Sequence, residues 1–310
     1  MEERLRDWAA QRGYQVAWYD GEVAGRAFDR IGRLKAEGAF NAGFFSKFLS
    51  WMAKPGVRRA AETKTLILVA LPSPAHIVTF EDGGSRHDLV LPPTYLRYNP
   101  LFEEVLADLT AFTGGRLKGR RLSAPLKTIA ALTGFARYGK NNITYIDRLG
   151  SGVQLAGFAT ELSLSQAPAD DGVPKMLDEC RSCRACSITC PMGAIAEDRF
   201  LLHGERCLTG FTEYEGPLPG AFSRLRTATL IGCMACQDRC PANRGRLRFE
   251  RFPHVFSSGE TAYLLGESGD ARPSPELTAK VRALGCTDLT ISEAGPSAVF
   301  RRNLRAALRA

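Results

Sequence analysis

The chain has 310 residues, 45% apolar and 24% charged, with a net charge of +8 and no repeat or low-complexity tract. This supports one large domain or two ordinary ones with a full core, and excludes a disordered or fibrous chain. The positive balance suits nucleic acid, an anionic cofactor or an acidic protein partner, and does not choose among them.

The opening "MEERLRDWAAQRGY" is charged from its second residue and has no apolar signal region, twin-Arg signal or lipidation site. No later run reaches the length of a membrane span, so a soluble cytoplasmic protein is expected. Leu5, Trp8 and Ala9 recur at helical spacing with Gly13 placed as a C-cap, which predicts an opening helix. "FFSKFLSWM" (44–52) fits a second helix that stops before Pro55. "TLILVALPSP" (65–74) is a continuous apolar run closed by prolines and predicts a buried strand. Leu101, Phe102, Val105, Leu106, Leu109 and Phe112 trace one helix face, ended by "TGG". Between 134 and 164, Gly134, Gly139, Gly150, Gly152 and Gly157 punctuate a run that closes in the alternation "FATELSL". Such glycines serve a close ligand or simple turns. "SQAPADDGVP" (165–174) has linker composition.

Eight of the nine cysteines fall between residues 180 and 240. In a cytoplasmic chain that density points to metal ligation or redox work rather than disulfides. Cys180, Cys183, Cys186 and Cys190 are spaced C-x2-C-x2-C-x3-C with Pro191 next, the spacing of a bacterial ferredoxin cluster motif. Cys207, Cys233, Cys236 and Cys240, followed by Pro241, repeat the pattern with the first ligand set back by 25 residues. In two-cluster ferredoxins the fourth Cys of each run ligates the other cluster. One [4Fe-4S] cluster is therefore expected on Cys180, Cys183, Cys186 and Cys240, and the other on Cys207, Cys233, Cys236 and Cys190. Structural zinc also uses C-x2-C pairs, but needs neither three cysteines at successive x2 intervals nor a following proline, twice over. Thiolate ligation in a low-dielectric surround favours low-potential, one-electron carriers. Cys286 is left over and reads as a small buried hydrophobe. His76, His87, His203 and His254 form no metal-binding pattern, His203-x-Glu205 lacks the P-C-x-x-C of zinc deaminases, and no G-x-G-x-x-G or P-loop is present.

Taken together, "TKTLILVALPSP", "GFARYGKNNITYIDRLGSGVQLAGFATELSL", "CRSCRACSITCPMGAI", "GCMACQDRCPANR" and "FRRNLRAALRA" resemble the cobalamin-dependent iron-sulfur reductases, the epoxyqueuosine reductases most closely and the reductive dehalogenases more distantly. The resemblance runs over about residues 30 to 310. It implies an α+β fold: a nitroreductase-like α/β corrinoid-binding domain over 1–168, a two-[4Fe-4S] ferredoxin-like domain over 169–250, and a C-terminal helical extension over 251–310 packing back on the core. It also implies a base-off cobalamin, with Gly139, Lys140, Asn141, Gly150, Ser151, Gly152 and Leu155 as its contacts.

Two departures bear on the chemistry. Ser123 stands where the family carries a catalytic acid, and "RRLSAPLKTIA" contains no Asp or Glu. Serine is a far weaker proton donor than a tuned carboxyl. The family's Tyr-His pair becomes Tyr98-Asn99, leaving Tyr98 as a proton-donor candidate. The chain also ends where the queuosine enzyme continues into a helical-repeat domain that helps hold transfer RNA. The expectation is thus an oxidoreductase with a low-potential electron donor (ferredoxin, flavodoxin or flavoprotein) and a small substrate rather than transfer RNA. A dicluster electron carrier without turnover and a corrinoid-handling protein are the alternatives.

Overall fold

A computed structural model describes residues 1–54, 63–96, 98–165, 172–225, 228–269, 272–285, 291–292 and 295–309. The chain divides into two compact units that interleave in sequence. Residues 1–72, 100–184 and 195–205 form the first; residues 73–99, 185–194 and 206–310 form the second. The early hairpin falls in the second unit because it shares a sheet with a late strand.

Helix α1 (Glu2–Gln11) buries Leu5, Trp8 and Ala9, and Gly13 follows at φ +68°. Strand β1 (Gln15–Asp20), helix α2 (Glu22–Ala36) and strand β2 (Thr65–Pro72) come next. The run 44–52 is helical, though not as one α-helix. A short turn over Ala42–Phe44, capped by the Asn41 side chain, continues as a π turn over Phe45–Leu49 and a 3-10 turn over Ser50–Ala53. Pro55, expected to stop it, lies outside the described residues. The chain then gives the hairpin of β3 (Ala75–Asp82) and β4 (Ser85–Leu91) to the second unit. Its next elements are α3 (Tyr98–Phe112), β5 (Gly119–Arg121), α4 (Leu126–Leu132), β6 (Arg137–Tyr138), β7 (Thr144–Tyr145) and β8 (Val153–Thr160).

The main sheet of the first unit runs β1-β2-β8-β5 and is antiparallel throughout. From Leu66 onward strand β2 is apolar, in keeping with both its faces being covered. Leu66, Leu68 and Ala70 pack with Val23 and Phe28 of α2 and Ile129 of α4, while Ile67, Val69 and Leu71 pack with Leu5, Trp8, Phe102 and Leu109. Each fully buried Leu, Ile or Val contributes roughly 1.5–3 kcal/mol. Strand β8 is buried on both faces too, so the alternation read over "FATELSL" does not persist and the strand ends at Thr160. Gly157 lies mid-strand opposite Leu68; a Cβ there would come within 2.5 Å of Leu126 Cδ2, so its absence lets α4 close on the sheet. Trp8 Nε1 (2.9 Å) and Arg12 Nη2 (2.7 Å) donate to the Asp108 carboxylate, holding α1 to α3.

In the second unit β3 pairs antiparallel with β4 and parallel with a late strand, giving the order β4-β3-β9. The cysteine loops are carried by the short helices α5 (Ala185–Thr189), α6 (Leu208–Glu213) and α7 (Ala235–Asp238). The late strand is β9 (Phe249–Phe256); α8 (Ser258–Leu265), α9 (Pro275–Leu284), the small hairpin β10 (Ile291–Ser292) and β11 (Gly295–Pro296), and α10 (Ala298–Leu308) follow it. Val78, Phe80, Leu89 and Leu91 of the hairpin share one core with Phe252, Phe256, Leu264, Leu277, Phe300 and Leu304. The Phe80 and Phe256 rings stack at 4.8 Å. Segment 251–310, expected as a helical extension, therefore begins inside a strand of this sheet and supplies half of the unit's core. Among the described residues no helix is long and apolar enough to cross a membrane.

Candidate iron-sulfur centres and the adjoining segment

The second set of thiols lies wholly in the second unit. Cys207 stands at the N-cap of α6, and Cys233 and Cys236 flank Met234, which is 1% exposed. Met234 packs with Ala75 and Val90 on the hairpin, fixing the loop from its apolar side. The approach to Cys233 is pinned to β4, where Val90 N–H donates to Ala228 O at 2.8 Å and Leu230 N–H to Val90 O at 3.1 Å. Burial pushes the Cys207, Cys233 and Cys236 thiols up, Cys233 to about 11, and neighbouring thiols push further in the same direction. Cys190 acts on all three, and Cys236 is also raised by Cys186. Cys186 and Cys190 thus both lie near enough to the second set of thiols to act on it. Buried thiols hold their protons until cations displace them, which is the chemistry of metal-coupled deprotonation. Among the described residues no three His, Cys, Asp or Glu side chains converge on a single ion.

A buried brace that the sequence did not disclose supports this group. The Thr212 hydroxyl accepts from Gly232 N–H at 2.8 Å and donates to Thr209 O. It thereby joins the helix begun by Cys207 to the residue before Cys233. Asn303 of α10, also fully buried, donates to Thr212 O at 2.8 Å. Arg302 donates to the carbonyls of Phe211 and Tyr214, both at 2.8 Å. Two donors from the last helix therefore satisfy carbonyls at the end of α6 that the helix itself leaves open. A signal was present: Asn303 interrupts the apolar face formed by Phe300, Leu304 and Ala307. Arg301 and Arg305 of the same helix bond to Pro296 O and Glu267.

Of the first set, Cys180 and Cys183 belong to the first unit, and Cys186 and Cys240 to the second. Cys180 is buried in a 3-10 turn over Asp178–Arg181. The glycine-punctuated segment binds the chain on either side of this motif. Lys140 Nζ donates to Cys183 O at 3.1 Å, Tyr138 N–H to Lys175 O at 2.9 Å, and Leu177 N–H to Tyr138 O at 2.9 Å. Asn142, at φ +57°, donates through Nδ2 to Phe200 O at 2.7 Å and accepts from Leu202 N–H. An Asn tolerates that left-handed backbone better than most residues.

Gly139, Asn141, Gly150, Ser151 and Gly152, expected to touch a corrinoid, are buried in the packing of the first unit. A Cβ on Gly139 would meet Asn141 Oδ1 at 2.5 Å and Tyr145 Cε2 at 2.6 Å. Asn141 Nδ2 donates to the Tyr145 hydroxyl at 3.0 Å, and its Oδ1 accepts from Ile143 N–H. Gly150 takes φ +66° in the turn that closes on Ile146. Lys140 and Leu155 are half-buried. Ser123 is exposed in the turn before α4. Tyr98 opens α3, but its side chain and Cys286 lie outside the described residues.

A two-unit mixed α and β fold with paired ferredoxin-type cysteine runs defines an iron-sulfur redox protein, and residues 179–243 match the 4Fe-4S double cluster binding domain. Beyond that domain, the chain is similar to epoxyqueuosine reductases. It is 27% identical to that of Shewanella oneidensis over 222 residues, which cover 66% of this chain and 53% of the relative. It is 32% identical to that of Bacillus subtilis over 136 residues, 44% of this chain and 33% of the relative. The chain thus spans about half the length, or less, of these curated relatives. The structure of epoxyqueuosine reductase from Bacillus subtilis superposes with a TM-score of 0.67 at 20% identity, over 99% of this chain and 80% of that one. A crystal structure of epoxyqueuosine reductase with an epoxyqueuosine-modified tyrosine tRNA stem loop gives 0.61 at 20% identity, over the same shares. The expected mixed fold is the fold these structures share.

Proposed function

We propose that the protein is an iron-sulfur oxidoreductase in which two [4Fe-4S] clusters deliver electrons to a corrinoid held by the first unit, where a small electrophilic substrate is reduced. The ligand sets are Cys180, Cys183, Cys186 and Cys240 for one cluster and Cys190, Cys207, Cys233 and Cys236 for the other. The observation that carries this reading is the hydrogen bond from Lys140 to the Cys183 carbonyl. It fastens the segment resembling a corrinoid wall directly to the loop bearing the first cysteine run.

The thiols fit the clusters in donor type and in their spacing along the chain. For the corrinoid the fit is that of a wall. Gly139, Asn141, Gly150, Ser151 and Gly152 shape the turns from within, and Lys140 and Leu155 are the residues left to face a ligand. When bound, a corrinoid supplies a metal centre that accepts single electrons and passes them to an electrophile. The chain's share is to position that group, exclude water and carry protons. Its stretch 119–133 has no carboxyl to donate one. That absence supports a substrate other than the epoxide of the related enzymes, with Tyr98 and Ser123 as the remaining proton-donor candidates.

The test is iron, sulfide and cobalt content after anaerobic reconstitution with cobalamin, read with the electron paramagnetic resonance spectrum. About eight irons and one cobalt per chain support the proposal, as two four-iron clusters require. Iron without retained cobalt favours the second reading, an electron carrier, which the inward-facing polar groups of the wall and the exposed Ser123 also favour. Fewer than about four irons would remove the cluster assignment itself.

A further inference from the structure

We propose that the arginine-rich turn after Cys240 is the docking surface for a small acidic electron-transfer protein, and so the point at which electrons enter. The inference rests on the iron-sulfur reading above. A cleft of about 300 Å³ lies here, lined by Cys240 together with Arg239, Arg244, Leu247 and Phe249. Between residues 238 and 250 the chain carries four arginines, Arg239, Arg244, Arg246 and Arg248, against two carboxylates, Asp238 and Glu250, and all six are exposed. Among the described residues Arg239, Arg244 and Arg248 have no carboxylate partner. Their charge is thus available to a visitor, unlike that of the last helix.

The turn is built rather than loose. Asn243, 4% exposed, donates through Nδ2 to Gln237 O at 2.8 Å. Leu247 N–H donates to Asn243 O at 3.0 Å, and Arg246 Nη1 to Ala242 O at 3.1 Å. Ala75 N–H holds the Arg248 carbonyl at 2.9 Å, fixing the turn to the start of the central strand β3. The patch also has an apolar centre, since Phe249 is 39% exposed beside the half-buried Leu247. An apolar centre within a charged rim is the anatomy of a protein interface. Transient redox encounters are small and steered by charge, so a compact basic patch suffices. The interspersed Asp238 and Glu250 disfavour a polyphosphate backbone and suit a partner with mixed charge and an acidic excess. In the step itself one electron leaves the donor, which is oxidised. It enters the cluster for which Cys240 is the proposed fourth ligand, which is reduced; no bond forms or breaks.

The test uses reconstituted full-length protein and reduced flavodoxin as the acidic donor, following cluster bleaching by stopped flow. The second-order rate should fall as salt is raised, and the pair Arg244→Glu with Arg248→Glu should lower it at least tenfold at low salt, within the range that steering supplies. Iron content and reduction by dithionite should be unchanged in that variant. An unchanged flavodoxin rate, or a rate indifferent to salt, would overturn the docking assignment while leaving the cluster reading intact. Loss of binding to a tRNA anticodon stem loop with an unchanged flavodoxin rate would also overturn it, assigning the patch to phosphates. Failure of the wild type to hold iron would overturn both readings.

Discussion

The Thr212 hydroxyl accepts a hydrogen bond from the Gly232 N–H at 2.8 Å, with the Thr212 side chain fully buried. This contact spans the insertion that separates Cys207 from Cys233, and it turns two distant stretches of sequence into one scaffold for those two thiols. Thr212→Val keeps the shape and removes the acceptor, leaving a buried N–H unpaired at a cost of about 1–3 kcal/mol. The expected outcome is a lowered melting temperature and faster loss of the iron signal assigned to the second cluster. A variant with wild-type melting and iron retention would show that the contact does not support the site.

The same reasoning extends to the last helix. Asn303→Ala deletes the donor to Thr212 O and Arg302→Ala the donors to Phe211 and Tyr214. Each should destabilise the protein by roughly 1–3 kcal/mol in urea unfolding. Because both act through α6, the double variant should lose less than the two single losses added together. Strict additivity would mean that the two side chains brace independent structures.

Cys183→Ser and Cys236→Ser separate the two clusters. The first should diminish the cluster of Cys180, Cys183, Cys186 and Cys240, the second that of Cys190, Cys207, Cys233 and Cys236, each leaving about four irons. Retention of about eight irons with unchanged spectra in either variant would refute its ligand assignment. Lys140→Met should spare the iron content and slow electron passage to bound cobalamin, since it removes the tie to Cys183 O together with a charge from the face proposed to meet the ligand. An unchanged rate of cobalamin reduction would show that the tie plays no part.

Two carboxylates predict an acid limb in the stability profile. For Asp88, the hydrogen bond from Thr79, then that from Arg251, hold the carboxyl below its usual value, although burial pushes it up. For Glu260, burial pushes up, but the hydrogen bonds from Lys280 and Ser257 outweigh it and the net shift is downward. A carboxyl depressed in the folded state adds stability that is fully present above its unfolded pKa and is lost as pH falls through its folded one. The loss should begin below the unfolded values, about 3.8 for Asp and 4.5 for Glu. Asp88→Asn and Glu260→Gln should each lower stability near neutrality and flatten this limb, as followed by urea unfolding between neutral and acid pH. A limb that survives both substitutions would belong to other groups.

The sequence by itself determined the chemistry of the cysteine runs, because iron-sulfur ligation imposes short, fixed spacings that remain visible in one dimension. It also determined the helix over 2–11 and the buried strand over 65–72, whose apolar periodicity is local. Only the tertiary structure decided that the hairpin 75–91 pairs with the strand 249–256, and that the last helix braces the loop after Cys207. It likewise decided that Lys140 and Asn142 hold the cysteine-bearing segment, where their glycine-rich context had left a close ligand and simple turns equally open. The physical reason is the same in each case. A backbone carbonyl accepts from any donor that reaches it, so a hydrogen bond between residues 91 positions apart leaves no periodicity, spacing or composition to read.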